Sequence, residues 1–218
     1  MTTTPNIDIE AANVSVAIEE APTGHAAGDP AILGLPIFAA GSIALGLALV
    51  GYVPAVAVTS VLPIVLAATG LGLLISTVWA ASLGQTVVAG IFGLFTGFWL
   101  SYAALLLGLN HNWFLIPTEA VERSVALFLI TWAIVMFALT VGTLRLPLAY
   151  TLVLGLVVVA LVLLIFATTE TSETLNKMAG YVVLAFGALG IYLFLSTASI
   201  ALGGSGYPLG SPLLSGDD

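Results

Sequence analysis

The side chains of this sequence able to bind a proton or a cation stand at the edges of apolar runs and never in their middle. Asp29 opens the first run, Glu119 and Glu122 open the fourth, and Glu170 and Glu173 follow the fifth. An ionisable group held inside a bilayer is costly and is kept for use, as in proton relays and ion pumps. No acid, base or histidine lies near the centre of any run here, so a pathway through this protein is lined by apolar, aromatic and hydroxyl groups. The edge carboxylates read most simply as helix caps and solvated loop charges. His25 and His111 are each isolated, which leaves no metal-ligand set. Absence of cysteine excludes disulfides and thiolate metal sites. No phosphate-binding glycine loop and no Ser/His/Asp set is available, so neither an enzyme nor a cofactor is expected.

The runs themselves define the solvent. Pro30–Thr118 contains no Asp, Glu, Lys or Arg, and Ser124–Leu144, Leu146–Thr169 and Met178–Gly216 repeat the pattern. With 60% hydrophobic and 6% charged residues, the chain belongs among polytopic membrane proteins. A span needs roughly 20 apolar residues. The expected fold is therefore an all-α membrane protein, a bundle of six transmembrane helices near 32–52, 55–80, 86–108, 119–144, 147–168 and 175–202. The turns carry matching chemistry: Gly51-Tyr52-Val53-Pro54, Ser82–Thr86, Gly108–Thr118, Arg145-Leu146-Pro147 and Thr169–Asn176. Thr118 is expected to N-cap helix four, with Glu119 and Glu122 at the positive end of its dipole. Residues 29–203 form the membrane domain, flanked by an acidic tail over 1–28 and a short C-terminal tail over 204–218.

Much of the net charge of −8 lies in the first tail, where Asp8, Glu10, Glu19, Glu20 and Asp29 occur without a base. Such a segment is expected to be disordered. It has no basic, apolar signal-peptide pattern, and Asn13-Val14-Ser15 is not expected to be a glycosylation site. The scarcity of base argues against nucleic acid as a partner. Membrane lipid is the partner that composition requires. Arg123, Arg145 and Lys177 divide one against two across a six-helix chain, so the positive-inside rule gives no orientation. An even helix count puts both termini on one side.

Two further features position the helices. Gly93-x-x-x-Gly97 in helix three, and Gly180 and Gly187 with Gly190 in helix six, have the spacing that lets helix backbones approach closely. Packing inside one bundle and contact between subunits both satisfy it. Pro36 and Pro63 each remove a backbone hydrogen bond and predict a kink or break, although Pro36 could instead be the first residue of a helix running to Val53. Asp29-Pro30 is a helix-start signature, Asp as N-cap and Pro as the first helical residue. The same helix entry could form the vestibule of an ion pathway.

The string Asp29-Pro30-Ala31-Ile32-Leu33-Gly34-Leu35 resembles the Asn-Pro-Ala-Pro-Leu-Gly-Leu signature of the acetate uptake transporter family, the succinate–acetate permease-like proteins of bacteria and fungi. Gly84-Gln85-Thr86 is similar to that family's Gly-Asn-Thr, and Phe92–Trp99 to its Phe-x-x-Tyr-Gly-x-Phe-Trp run. Gly142-Thr143-Leu144-Arg145, Ala179-Gly180-Tyr181, Ile191-Tyr192 and Tyr207-Pro208-Leu209-Gly210 match further motifs in order. The resemblance implies a homo-hexamer of six-helix protomers in the cell membrane, with cytoplasmic termini and one pathway per subunit. It implies a small carboxylate substrate such as acetate, moved through a hydrophobic constriction whose three positions fall on Phe38, Phe95 and Val157. The signature residues Asp29, Pro30, Gly34 and Leu35 would line its vestibule.

The chain also departs from the pattern. Asp29 replaces an amide with a group that repels carboxylates, Phe95 replaces a Tyr, and Val157 replaces a Leu. A dry constriction of that composition disfavours a naked anion. The expected function is transport of acetate-like weak acids, coupled to a proton or in protonated form. Transport of another small solute such as ammonia or ammonium, and a non-transporting scaffold role, are the alternatives.

Overall fold

The computed structural model describes residues 28–214, and these are helical with no strand among them. His25 and nearly all of the acidic segment 1–28 lie outside the described residues. Six helical segments are long and apolar enough to cross a membrane, and the protein is a multi-pass membrane protein. In hydrocarbon no water is present to satisfy a free N–H or C=O, so an apolar run must close its hydrogen bonds within itself as a helix. The spans are α1 (Ala31–Leu49), a composite second span (Ala55–Ser82), α3 (Thr86–Asn110), α4 (Val121–Gly142), α5 (Leu148–Thr169) and α6 (Glu173–Ala201). The second span starts as a 3₁₀ segment (Ala55–Val61), passes through a π-helical stretch (Pro63–Gly70) and ends as α2 (Leu71–Ser82).

Most helix C-termini share one cap, α4 excepted. At the end of α1, Gly51 takes φ 92°, its N–H reaches the Ala48 carbonyl at 3.1 Å, and the Tyr52 N–H reaches Leu47 at 2.9 Å. This is the Schellman arrangement, and its left-handed residue costs least when it is glycine. It ends α1 at Leu49, before the expected residue 52. Gly84 (φ 70°) ends α2 in the same way, with Gln85 N–H to Ala80 at 3.0 Å. Asn112 and Thr171 form the same cap on α3 and α5 without glycine.

Several helix starts differ from expectation. Thr118 caps nothing: it begins a 3₁₀ turn (Thr118–Ala120) that leads into α4. The stretch Thr169–Asn176 is not one loop, because the Ser172 hydroxyl accepts from the Leu175 N–H at 3.3 Å and starts α6 at Glu173. Pro36 lies inside α1, which continues through it, so α1 does not begin there. Pro63, in contrast, stands where the second span changes from 3₁₀ to π spacing. A residue without an N–H fits there because the ladder is already re-registered.

The helices pack in the sequence α3, second span, α1, α6, α5, α4, with α1 against α6 the most extensive pair. Glycines set that closeness. A methyl group on Gly180 would stand 2.9 Å from Leu49 Cβ and 2.9 Å from the Val50 nitrogen, and one on Gly187 would touch Ser42 and Ile43. Gly93 faces Thr77 of the second span, and Gly97 faces Trp132 of α4. All four glycines therefore make contacts within one protomer. At Gly180 the obstacle is backbone, which cannot swing aside. Gly180→Ala is expected to lower stability by about 1–3 kcal/mol through overpacking. Thermal unfolding in detergent measures this, and an unchanged midpoint would mean that α1 and α6 can part without cost.

The C-terminal segment closes the face at which α1 begins. The Leu209 and Gly210 carbonyls accept from the Ala149 and Leu148 N–H groups at 2.9 and 3.4 Å, satisfying donors that the start of α5 leaves free. The Tyr192 hydroxyl donates to the Pro208 carbonyl at 2.7 Å, and the Tyr207 N–H donates to Ser196 Oγ at 2.9 Å. At the opposite face Lys177 pairs with Glu173 at 2.7 Å, and Asn176 Nδ2 donates to the Leu49 carbonyl at 3.0 Å.

Candidate functional site

The entry to α1 is built by its first two residues. Pro30 is fully buried with helical backbone angles (φ −57°, ψ −22°), and the Asp29 carboxylate accepts from the Ala31 N–H at 2.9 Å. This capping bond needs only an acceptor oxygen, which an amide would supply equally well. Aspartate at this position therefore keeps the geometry and changes the charge.

Asp29 stands at the mouth of a cavity of about 370 Å³. Gln85, from the turn before α3, and Tyr150, from the first turn of α5, are the other polar side chains on its wall. The remainder is apolar, with Leu35 from α1 and Phe92 from α3. Gly34 does not line the cavity. It is buried beneath Phe92, whose ring a methyl group at this position would strike, so it lets that ring lie flat against α1.

The cavity ends at two aromatic rings. Phe38 and Phe95 meet edge to face with centroids 4.8 Å apart and planes at 61°, and each ring is only 4% exposed. Phe186 of α6 stacks on the other side of Phe38 at 5.7 Å. Gly190 makes room for this arrangement, since a Cβ there would lie 3.2 Å from the Phe38 ring. The Ser42 hydroxyl, completely buried, donates to the Phe38 carbonyl at 2.7 Å and satisfies its own polarity within α1.

Beyond the rings lies a chamber of only about 20 Å³, whose wall includes Phe38, Phe95 and Val157. The three positions drawn from the family pattern thus meet in one place, although they come from α1, α3 and α5. Leu45, Phe98 and Leu164 form the far side of the chamber and also border a third cavity, of about 170 Å³, that reaches Thr168 and Asn176 towards the opposite face. Large rings hold this last cavity open. Phe98 packs against Phe128 at 5.9 Å and Trp132 at 5.6 Å, which bridges α3 and α4 where their backbones stay apart.

Three cavities therefore follow one another through the bundle, separated by two apolar partitions. Gln85 and Phe98 belong to the family-like motifs without a role assigned from them, and the sequence does not single out Phe186, Tyr150, Leu45 or Leu164. Phe186 had a faint signal in its position one residue before Gly187, on the helix whose glycines approach α1.

The family model described as GPR1/FUN34/yaaH family matches residues 12–203. Among solved structures, that of the bacterial acetate channel SatP is similar with a TM-score of 0.72 and 23% identity, covering 84% of this chain and 99% of that one. At that identity the likeness is one of fold. None of the curated proteins compared matches the chain in sequence.

Proposed function

The chain belongs to the GPR1/FUN34/yaaH family, the acetate uptake transporters that its motifs resemble, and from that membership we propose that it carries acetate and similar small monocarboxylates across the cell membrane. The observation that carries the reading is the line of cavities interrupted by Phe38 and Phe95, with no charged side chain on the wall beyond Asp29. A cavity of about 370 Å³ accommodates a solute of acetate's size with water, and the next chamber has volume for about one water-sized body. The rings must move for acetate to pass, and they offer an anion no compensation for its lost hydration. The species that crosses is the neutral acid, or the anion together with a proton. Asp29 at the mouth favours the same species by repelling the carboxylate. The hexamer, the cytoplasmic termini and the roles of Asp29, Leu35 and Val157 belong to this same reading, while Pro30 and Gly34 shape the entry of α1 without standing on the cavity wall.

The direct test is uptake of radiolabelled acetate into proteoliposomes holding the purified protein. Uptake is expected to accelerate when the outside of the vesicles is made more acidic than the lumen, to be unmoved by voltage alone at clamped pH, and to be competed by propionate. Uptake driven by voltage alone would overturn the proton requirement. Absence of any acetate uptake would overturn the function.

A further inference from the structure

Trp99 lies four residues, about one helical turn, after Phe95 on α3, and it is 1% exposed. Its indole nitrogen is a buried donor with no hydrogen-bond partner among the described residues. An unsatisfied buried N–H is costly, and native proteins seldom retain one without a use. Burial within the single protomer excludes lipid or a neighbouring subunit as the missing partner. Water is a poor partner as well. The chamber whose wall includes Trp99 holds about 20 Å³, and every other side chain lining it is Phe, Leu, Val or Ala. A bound water needs two to four polar partners, and a small apolar cavity without them stays dry. The rings of Phe98 and Tyr102 face Trp99 in edge-to-face geometry at 5.1 and 6.4 Å, which offers at most a weak aromatic acceptor.

We propose that the Trp99 indole N–H is the binding residue of the central chamber, donating a hydrogen bond to an oxygen of the carboxylic solute as it passes between the two apolar partitions. The inference rests on the transport function proposed above and deepens it. An indole nitrogen donates and cannot accept, so it suits a carbonyl or carboxylate oxygen and gives nothing to ammonium, which is itself only a donor. With phenylalanine in place of the tyrosine that the resemblance puts at position 95, the indole N–H one turn away is the donor left on the chamber wall.

The test replaces Trp99 with β-(3-benzothienyl)alanine, which keeps the bicyclic shape and exchanges N–H for sulfur, and measures radiolabelled acetate flux in proteoliposomes. Flux is expected to fall about tenfold, the value of one hydrogen bond, with no change in the thermal midpoint. Adding Phe95→Tyr to that variant is expected to restore much of the loss by returning a donor to the chamber. Undiminished flux in the sulfur analogue, with the wild type active, would overturn this inference and leave the transport function standing. A fall in flux matched by a fall in thermal midpoint would assign Trp99 to packing and overturn it too. An inactive wild type would overturn both.

Discussion

Replacing Phe38 and Phe95 together by alanine is expected to raise voltage-driven acetate flux at clamped pH by at least about 100-fold over the wild type. The two rings meet at 4.8 Å and separate a cavity of about 370 Å³ from one of about 20 Å³, so removing both joins the two spaces. Water can then follow the solute. Stripping hydration from an unpaired carboxylate costs several kcal/mol even after relaxation, and each 1.36 kcal/mol removed from a barrier is tenfold in rate. Recovering about 2.7 kcal/mol of that cost is enough for the stated change. Single substitutions are expected to do less than half as well on a logarithmic scale, because either remaining ring still occludes the gap and contacting residues are not additive. Each Phe→Ala change also costs about 3–5 kcal/mol of stability, so flux is compared only for protein that elutes as a folded, monodisperse species. A folded double variant whose voltage-driven flux stays at the wild-type level would place the barrier elsewhere, with Leu45, Phe98 and Leu164 the next partition on the path.

What could be read from the residues depended on the scale of the signal. The six spans follow from runs without charge, because hydrocarbon imposes one backbone solution on any such run. The left-handed caps at Gly51 and Gly84 were legible as turns, but the residue at which each helix stops required knowing that glycine would stand two places beyond the last helical residue. Thr171 adopts the same conformation against its own preference, and no pattern announces that. The 3₁₀ and π character of the second span was invisible beyond a proline at position 63, since an apolar sequence suits either spacing.

Helix faces were less legible still. Amphipathic periodicity identifies the buried face of a helix in water, whereas a helix apolar all round gives no such contrast. Phe38 and Phe95 therefore came from the order of family motifs, and Phe186, which completes the aromatic stack from α6, resembles any lipid-facing phenylalanine. Glycine spacing did carry through: Gly180 and Gly187 mark the contact of α6 with α1, and Gly93 and Gly97 those of α3 with the second span and α4. Among the six helices only small residues report a specific neighbour, because only they are chosen for what cannot fit beside them.

Enlarging Val157, which borders the central chamber with Phe38 and Phe95, is expected to have the largest inhibitory effect of the substitutions considered. The residue is 5% exposed and borders the chamber together with Phe38 and Phe95, while taking no part in the larger vestibule. A phenylalanine there adds a ring to a space of about 20 Å³, so it must lodge between the two aromatic side chains that have to separate for passage. Overpacking of this kind costs about 1–3 kcal/mol in the resting state, which a folded membrane bundle can absorb. Opening then has to displace three rings instead of two. Val157→Phe is expected to reduce acetate uptake at least about 50-fold, on the order of 2.3 kcal/mol in the barrier, with the pH-gradient dependence of the residual flux retained. Val157→Leu, the residue implied by the family pattern, adds a single methylene and is expected to reduce uptake only a few-fold. This grading separates a residue that fills the path from one that supports the wall: a supporting residue would lower the thermal midpoint with side-chain volume and leave uptake by the folded fraction unchanged. Wild-type uptake by folded Val157→Phe protein would remove α5 from the constriction and leave it to the helices carrying Phe38, Phe95 and Phe186.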